Sequence, residues 1–274
     1  MDGLKLLEKR YQMIRTSLFI SLVFFLIGLF ALVSRWSSAI PIIIFACIFR
    51  LAAVWYAKKR YRDELIRQNA VASGMKSMQN VAYTLSEKAP ESLLTKLGFI
   101  PDISLVPGAA LHHVLRGSMN AKNVTVAETA FVSSDSHKNV SGTLLTAESA
   151  LSSEEQWVFL WRSPFYNLIT QPEYIQHGWS ELDSTEFSTG GQCVLLSPGG
   201  TRETISKAIK VLLPFCKNQG VALAARDGNL SLFLNDTFYI QNPDITKAPD
   251  GDSVKGDTIV GIEVIDKICK ALEG

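Results

Sequence analysis

Between Leu18 and Tyr56 the chain runs through two apolar stretches separated by a few polar residues. Leu18–Val33 (LFISLVFFLIGLFALV) carries no charge, and Ala39–Tyr56 (AIPIIIFACIFRLAAVWY) carries one, Arg50. A helix rises about 1.5 Å per residue, so about 20 apolar residues cross a hydrocarbon layer roughly 30 Å thick. Thr16 and Ser17 bring the first stretch to that length, and Ala57 does so for the second. Two such stretches back to back, with charged outer flanks, predict a transmembrane helical hairpin rather than a buried core. A cleaved signal peptide would need a shorter apolar core followed by a small-x-small site. Here the core is long and ends in Ser34-Arg35-Trp36.

Charge sets the direction of the hairpin. Lys5, Lys9, Arg10 and Arg15 precede the first stretch, Lys58, Lys59, Arg60 and Arg62 follow the second, and only Arg35 lies between them. Lys and Arg gather on the cytoplasmic side, so both termini are expected there, with Ser34–Ser38 barely emerging on the far side. Sequons at Asn123, Asn139, Asn229 and Asn235 matter only outside the cytoplasm, and the charge pattern outweighs them. Trp36, Trp55, Tyr56 and Tyr61 suit the interfacial aromatic belts, and Pro41 falls in the first turn of the second helix, where its missing N–H costs nothing. Arg50 has two readings: its stem snorkels to the cytoplasmic headgroups, or it serves an interhelical or gating role.

The net charge of +1 conceals an asymmetry. Residues 1–64 hold ten Lys/Arg against four Asp/Glu, whereas the remainder holds 17 against 22. The soluble part is therefore mildly acidic, which argues against a nucleic-acid face. Cys47, Cys193, Cys216 and Cys269 show no CxxC spacing, so neither a disulfide framework nor a zinc site is indicated.

Three regions are expected: a membrane hairpin with basic flanks over 1–60, a helical stalk over 61–92 and an α+β domain over 93–274. Asp2–Arg15 either lies on the membrane face or extends the first helix. After Tyr56 the pattern stays helical toward Pro90, with a bend near Ser73-Gly74, and Glu91–Gly98 adds a helical turn or two. From Pro101 the period becomes strand-like. Leu111–Arg116, Asn123–Val132, Val140–Ala147, Trp157–Trp161, Gln192–Leu196, Val221–Ala225 and Leu230–Leu234 read as strands, and Phe238–Gln241 as a further one. Asp227-Gly228 is a strong hairpin signal. Arg202–Asn218 and Asp257–Leu272 read as amphipathic helices. The fold class is therefore α+β with mainly antiparallel pairing.

Four segments carry a family resemblance: RGSMNAKNVTVAETAFV with its acidic Glu128, LDSTEF, CVLLSPGGTRETISKAI and LSLFLNDTFYI, within Leu93–Ile240. They resemble a bacterial family catalogued as domain of unknown function 3137. The resemblance implies two N-terminal membrane helices, a cytosolic α+β domain and a place in the bacterial inner membrane. It brings no established activity. The chain departs from the family's pattern over Ser133–Pro164.

Candidate chemistry is sparse. Ser197-Pro198-Gly199-Gly200-Thr201 stands between a strand and a helix, where backbone N–H groups of Gly199, Gly200 and Thr201 suit an anion. It lacks GxxxxGK[ST] and GxGxxG, and an ordinary turn with Thr201 as N-cap explains it equally. His112 and His113, adjacent on a strand, are expected on opposite faces, with His137 and His177 remote, so no metal site is indicated. Acid–base use of His113 with Glu128 across the hairpin is conceivable. Asp183, Glu181 and Glu186 read as a solvated acidic loop and Cys193 as an inert strand thiol. No catalytic residue and no cofactor are assigned. The partners expected are the lipid bilayer and either another protein or a second copy, with the chain anchoring a cytoplasmic interaction domain. The rival readings are a small-anion sensor or enzyme at Pro198–Thr201, and an oligomeric pore with Arg50 at its seam.

Overall fold

A computed structural model describes residues 2–37, 39–94, 96–100, 109–132, 139–149, 151–152, 154–163, 165, 178–182, 193–199, 202–240, 243–250, 253–254 and 256–273. The chain divides into two compact units, residues 1–72 with 241–255, and 73–240 with 256–274.

The first unit is built on α1 (Asp2–Val33) and α2 (Ala39–Met75), of 32 and 37 residues. Both are long and apolar enough to cross a membrane. Residues 2–15 extend the first helix, which settles the choice left open for them. α1 ends in a Schellman motif: Trp36 N–H donates to Ala31 C=O, Arg35 N–H donates to Leu32 C=O, and Arg35 takes φ 58°. Small residues line the seam, with Ser21, Gly28, Ala31, Ala39 and Ala46 buried between the helices. A Cβ added at Gly28 would stand 2.6 Å from Ile43 Cγ1, so glycine allows the close approach. Gln68 Nε2 donates to Gly3 C=O, Tyr11 meets Tyr61, and Phe24 meets Phe45 and Phe49. These contacts share one antiparallel register, which sets Ser21 at the level of Arg50.

The remaining apolar surface points outward. Phe19, Phe30 and Leu51 are 67%, 65% and 75% exposed, and Leu22, Leu26, Ile40, Ile44 and Ile48 are also exposed. Tyr61 departs from the belt expected of it. It is buried against Leu7, Ile14, Ala57 and Leu65, with Ile245 and Val254 of the 243–254 segment packed on the same cluster. The Tyr11 and Tyr61 hydroxyls donate to the Thr246 and Lys247 carbonyls.

The expected stalk is corrected. α2 stops at Met75, and residues 79–88, read above as helix, form β1 (Gln79–Lys88). Ser73 and Gly74 are poor helix formers, the amides of Ser77 and Met78 close on the Gly74 carbonyl, and pairing with β2 then overrides helical propensity.

The second unit holds a nine-stranded antiparallel sheet in the order β1-β2-β3-β4-β9-β8-β5-β7-β6. Its further strands are β2 (Ala110–Met119), β3 (Lys122–Val132), β4 (Asn139–Glu148), β5 (Gln156–Trp161), β6 (Ser180–Leu182), β7 (Cys193–Gly199), β8 (Val221–Arg226) and β9 (Asn229–Asn235). The helices are a single turn, α3 (Glu91–Leu94), then α4 (Arg202–Leu212) and α5 (Val260–Glu273). The helix expected to reach Asn218 gives way to a 3₁₀ helix at Leu213–Asn218, because Pro214 donates no N–H. Residues 238–240 are not a strand, and Gln241 lies outside the described residues.

Asp227 and Gly228 both take positive φ, as a type I′ hairpin requires. Asn120 and Ala121 do the same without glycine, so the β2–β3 turn falls there and Gly117–Met119 remain in strand. β5 is an interior strand, between β8 and β7, and is buried on both faces from Trp157 to Trp161. On one face Phe99, Phe131, Phe165 and Phe233 pack with ring centroids 4.9–6.4 Å apart, among Leu111, Val114, Leu144, Val158 and Leu196. α5 packs on β4 and β9 and against α4.

β4 meets β9 closely at Gly142. A Cβ there would fall 2.1 Å from the Leu234 carbonyl oxygen and 2.9 Å from the Phe233 ring. Gly142→Ala is expected to part the strands and cost about 3 kcal/mol, the upper range for overpacking. A urea midpoint followed by tryptophan fluorescence measures it, and an unchanged midpoint would refute the close approach.

Candidate functional site

Four titratable side chains of the sheet unit gather where β1, β2 and β3 meet the segment following β9. β2 supplies His113 through a bulge. His112 pairs with Glu128 and Leu115 with Val126, so β2 carries one extra residue in this interval. His113 takes φ 52° there, a conformation that glycine adopts far more readily. The bulge resets the alternation, placing Leu111 and Val114 in the same core cluster. His112 is left exposed and His113 half-buried.

His113 Nδ1 shares a 2.8 Å hydrogen bond with the Tyr83 hydroxyl, and the two rings stack at 24°. Its Nε2 stands 4.0 Å from Glu128 Oε2. The other carboxylate oxygen, Oε1, accepts the Ile240 amide at 2.9 Å. The neighbouring Tyr239 hydroxyl is buried with no hydrogen-bond partner among the described residues. Burial raises the Glu128 carboxyl above the ordinary range, opposed in part by the Ile240 amide. Burial also raises the Tyr239 hydroxyl, with Glu128 and Tyr83 adding to it. The arrangement can hold and pass a proton between a phenol, an imidazole and a carboxyl. It also spends both ends of Glu128 on internal neighbours.

The structure thus brings His113 and Glu128 together as the sequence suggested. It adds Tyr83 and Tyr239, which the sequence reading missed. Tyr83 sat in a segment read as helix, although Val81, Tyr83 and Leu85 alternate with the period of a strand.

The other candidates fall elsewhere. Pro198 and Gly199 end β7, Gly199 pairs with Gln156, and the Ser197 hydroxyl donates to the Gln156 carbonyl. The expected turn is therefore strand as far as Gly199, while Gly200 and Thr201 lie outside the described residues. So do His137, His177, Asp183 and Glu186; Glu181 belongs to β6. Arg50 is exposed on α2. Among the described residues no three His, Cys, Asp or Glu groups are placed to hold a metal ion. Cys193 is half-buried, and burial pushes the Cys216 thiol up to about 12 and raises Cys269. Two open recesses of about 340 and 200 Å³ share Asn123 and Thr125, with Arg116 lining one and Lys96 the other. Arg116 is paired with Glu87.

Because the folded state holds the Glu128 proton more tightly than the unfolded chain, burying the carboxylate destabilises the protein above the folded pKa. That penalty is relieved as pH falls through it. Glu128→Gln keeps an oxygen for the Ile240 amide and removes the charge. The variant is expected to be at least as stable as the parent near neutral pH, with the gap closing as the pH is lowered through the carboxylate range. Paired thermal melts across that range check this, and a gap that widens on acidification would refute it. No protein-family model, curated protein or solved structure matches the chain.

Proposed function

We propose that this chain is an integral inner-membrane protein whose hairpin anchors a cytoplasmic α+β interaction module. One observation carries the reading. Along α1 and α2 the large apolar side chains from Leu18 to Tyr56 face outward, including Phe19, Phe30 and Leu51. A water-facing surface of that extent would aggregate. In a bilayer the same surface is matched to its solvent, and the helices satisfy every internal backbone group. The cation clusters before α1's apolar stretch and after α2's support a cytoplasmic location for both ends. The resemblance to the domain of unknown function 3137 family is part of the same proposal.

Two features favour a binding module over an enzyme. The carboxyl and imidazole of the polar cluster are engaged with Ile240 and Tyr83. β1, ten residues long, ends the sheet and among the described strands pairs only with β2. Its outer edge offers a row of main-chain donors and acceptors to an added strand from a partner or a second copy.

Topology is directly measurable. In a background with the native cysteines replaced, Trp36→Cys is expected to react with an impermeant maleimide in intact cells. Lys76→Cys is expected to react only after the inner membrane is opened. Labelling in the reverse order would overturn the orientation, and release of the protein by alkaline carbonate would overturn the anchor.

A further inference from the structure

We infer that Arg50 is the phosphate-binding residue of a site for anionic phospholipid, built into the cytoplasmic half of the hairpin. The inference rests on the membrane reading above. Arg50 is the one charge within either apolar stretch, is exposed, and meets no polar partner among the described residues. An unpaired charge at that depth needs a counter-charge. The chain supplies no acidic residue between Glu8 and Asp63, so neither its own apolar helices nor those of a second copy can neutralise Arg50. The bilayer itself offers the remaining anion, a lipid phosphate.

The surroundings fit a headgroup drawn slightly inward. Arg50 lies eight residues before Lys58, about 12 Å along the helix. Helical side chains lean toward the N-terminus, which for α2 is the far side of the bilayer, so binding a cytoplasmic headgroup requires the guanidinium to turn against that lean. Toward the cytoplasmic end Val54, Ala57 and Tyr61 are buried in the packing with α1, so the open flank beside Arg50 is the one that carries Cys47, Leu51 and Lys58, all exposed. Ser21, level with Arg50 on α1, is small, and its hydroxyl is bonded within its own helix to the Leu18 carbonyl.

At headgroup level the cations are held in place. Lys59 Nζ sits 5.4 Å from the Trp55 ring centre, and Arg60 stacks on Tyr56 while its Nε donates to the hydroxyl at 2.9 Å. Lys59 and Arg60 face other sides of α2, whereas Lys58 lies about 80° round the helix from Arg50 and is the cation with which a phosphate there meets positive charge at both levels. A planar guanidinium also suits phosphate bidentately. The exposed cations alone would give a lipid preference that salt removes, whereas Arg50, at lower dielectric, gives one that salt screens far less.

The full-length protein in phosphatidylcholine vesicles, probed by electron spin resonance with spin-labelled phosphatidylglycerol and phosphatidylcholine, tests this. Selectivity for phosphatidylglycerol is expected to persist at roughly 0.5 M salt. Arg50→Leu should lower that residual selectivity about fivefold, and Arg50→Lys should keep part of it. Equal residual selectivity in parent and Arg50→Leu would overturn the proposal. So would a photo-reactive residue placed at position 50 that cross-links to a protein rather than to lipid, since that assigns the counter-charge to a partner's carboxylate. Carbonate extraction of the same variants separates this outcome from failure of the membrane reading: all variants should stay in the membrane.

Discussion

The constraint on which the rest depends is that the apolar flanks of α1 and α2 are left uncovered by the described residues of the chain. In water each exposed leucine or phenylalanine forfeits about 1.5–3 kcal/mol of burial, and the stretch from Leu18 to Tyr56 exposes many. Lipid removes that cost but also removes the hydrophobic drive between the helices. Close packing must then hold the pair, which accounts for a seam of Ser21, Gly28, Ala31, Ala39 and Ala46 rather than leucine. The register set by that seam also determines what stands beside Arg50.

The sheet depends on a different kind of tie. Glu128 is costly to bury, yet its Oε1 satisfies the Ile240 amide, the last residue before the chain leaves the sheet unit. An orphaned buried amide would cost about 1–3 kcal/mol. The carboxyl is thus retained as an acceptor while burial works against its charge. The bulge at His113 belongs to the same economy of space. It costs a strained backbone, returns β2's register to the core so that Val114 packs beside Leu111, and leaves the imidazole to bond Tyr83.

Much of this was legible in the sequence because it depends on local patterns. The apolar runs, the alternation in β3, the Asp-Gly turn and the wholly apolar β5 each announce themselves within about ten residues. What escaped was decided by contacts distant in sequence. β1 follows a helical run without a proline between them, so its short alternation of Val81, Tyr83 and Leu85 is decided as strand by pairing with β2. The bulge at His113 leaves no mark in composition, since a histidine occupies a conformation usually given to glycine. The polar cluster joins residues 83, 113, 128 and 239, and only the middle pair share a hairpin. Tyr61 reads as a belt tyrosine until the residues around 245 and 254 are seen to cover it.

That last burial bears on where the membrane surface lies. Trp55 and Tyr56 are exposed, whereas Tyr61, little more than one turn later, is sealed by its own chain; burial raises its hydroxyl pKa, and Tyr11, Asp244 and Asp250 add to the rise. Lipid tails cannot occupy a place already filled by Ile245 and Val254, and acidic side chains are repelled by anionic headgroups. On the membrane reading proposed above, the hydrocarbon boundary falls on the Tyr56 side of Tyr61. That reading sets Lys58, Lys59 and Arg60 at phosphate level and Arg50 about two turns below it. A plain tether would need only the cations at the surface. The one below them is the residue for which the proposed lipid contact accounts.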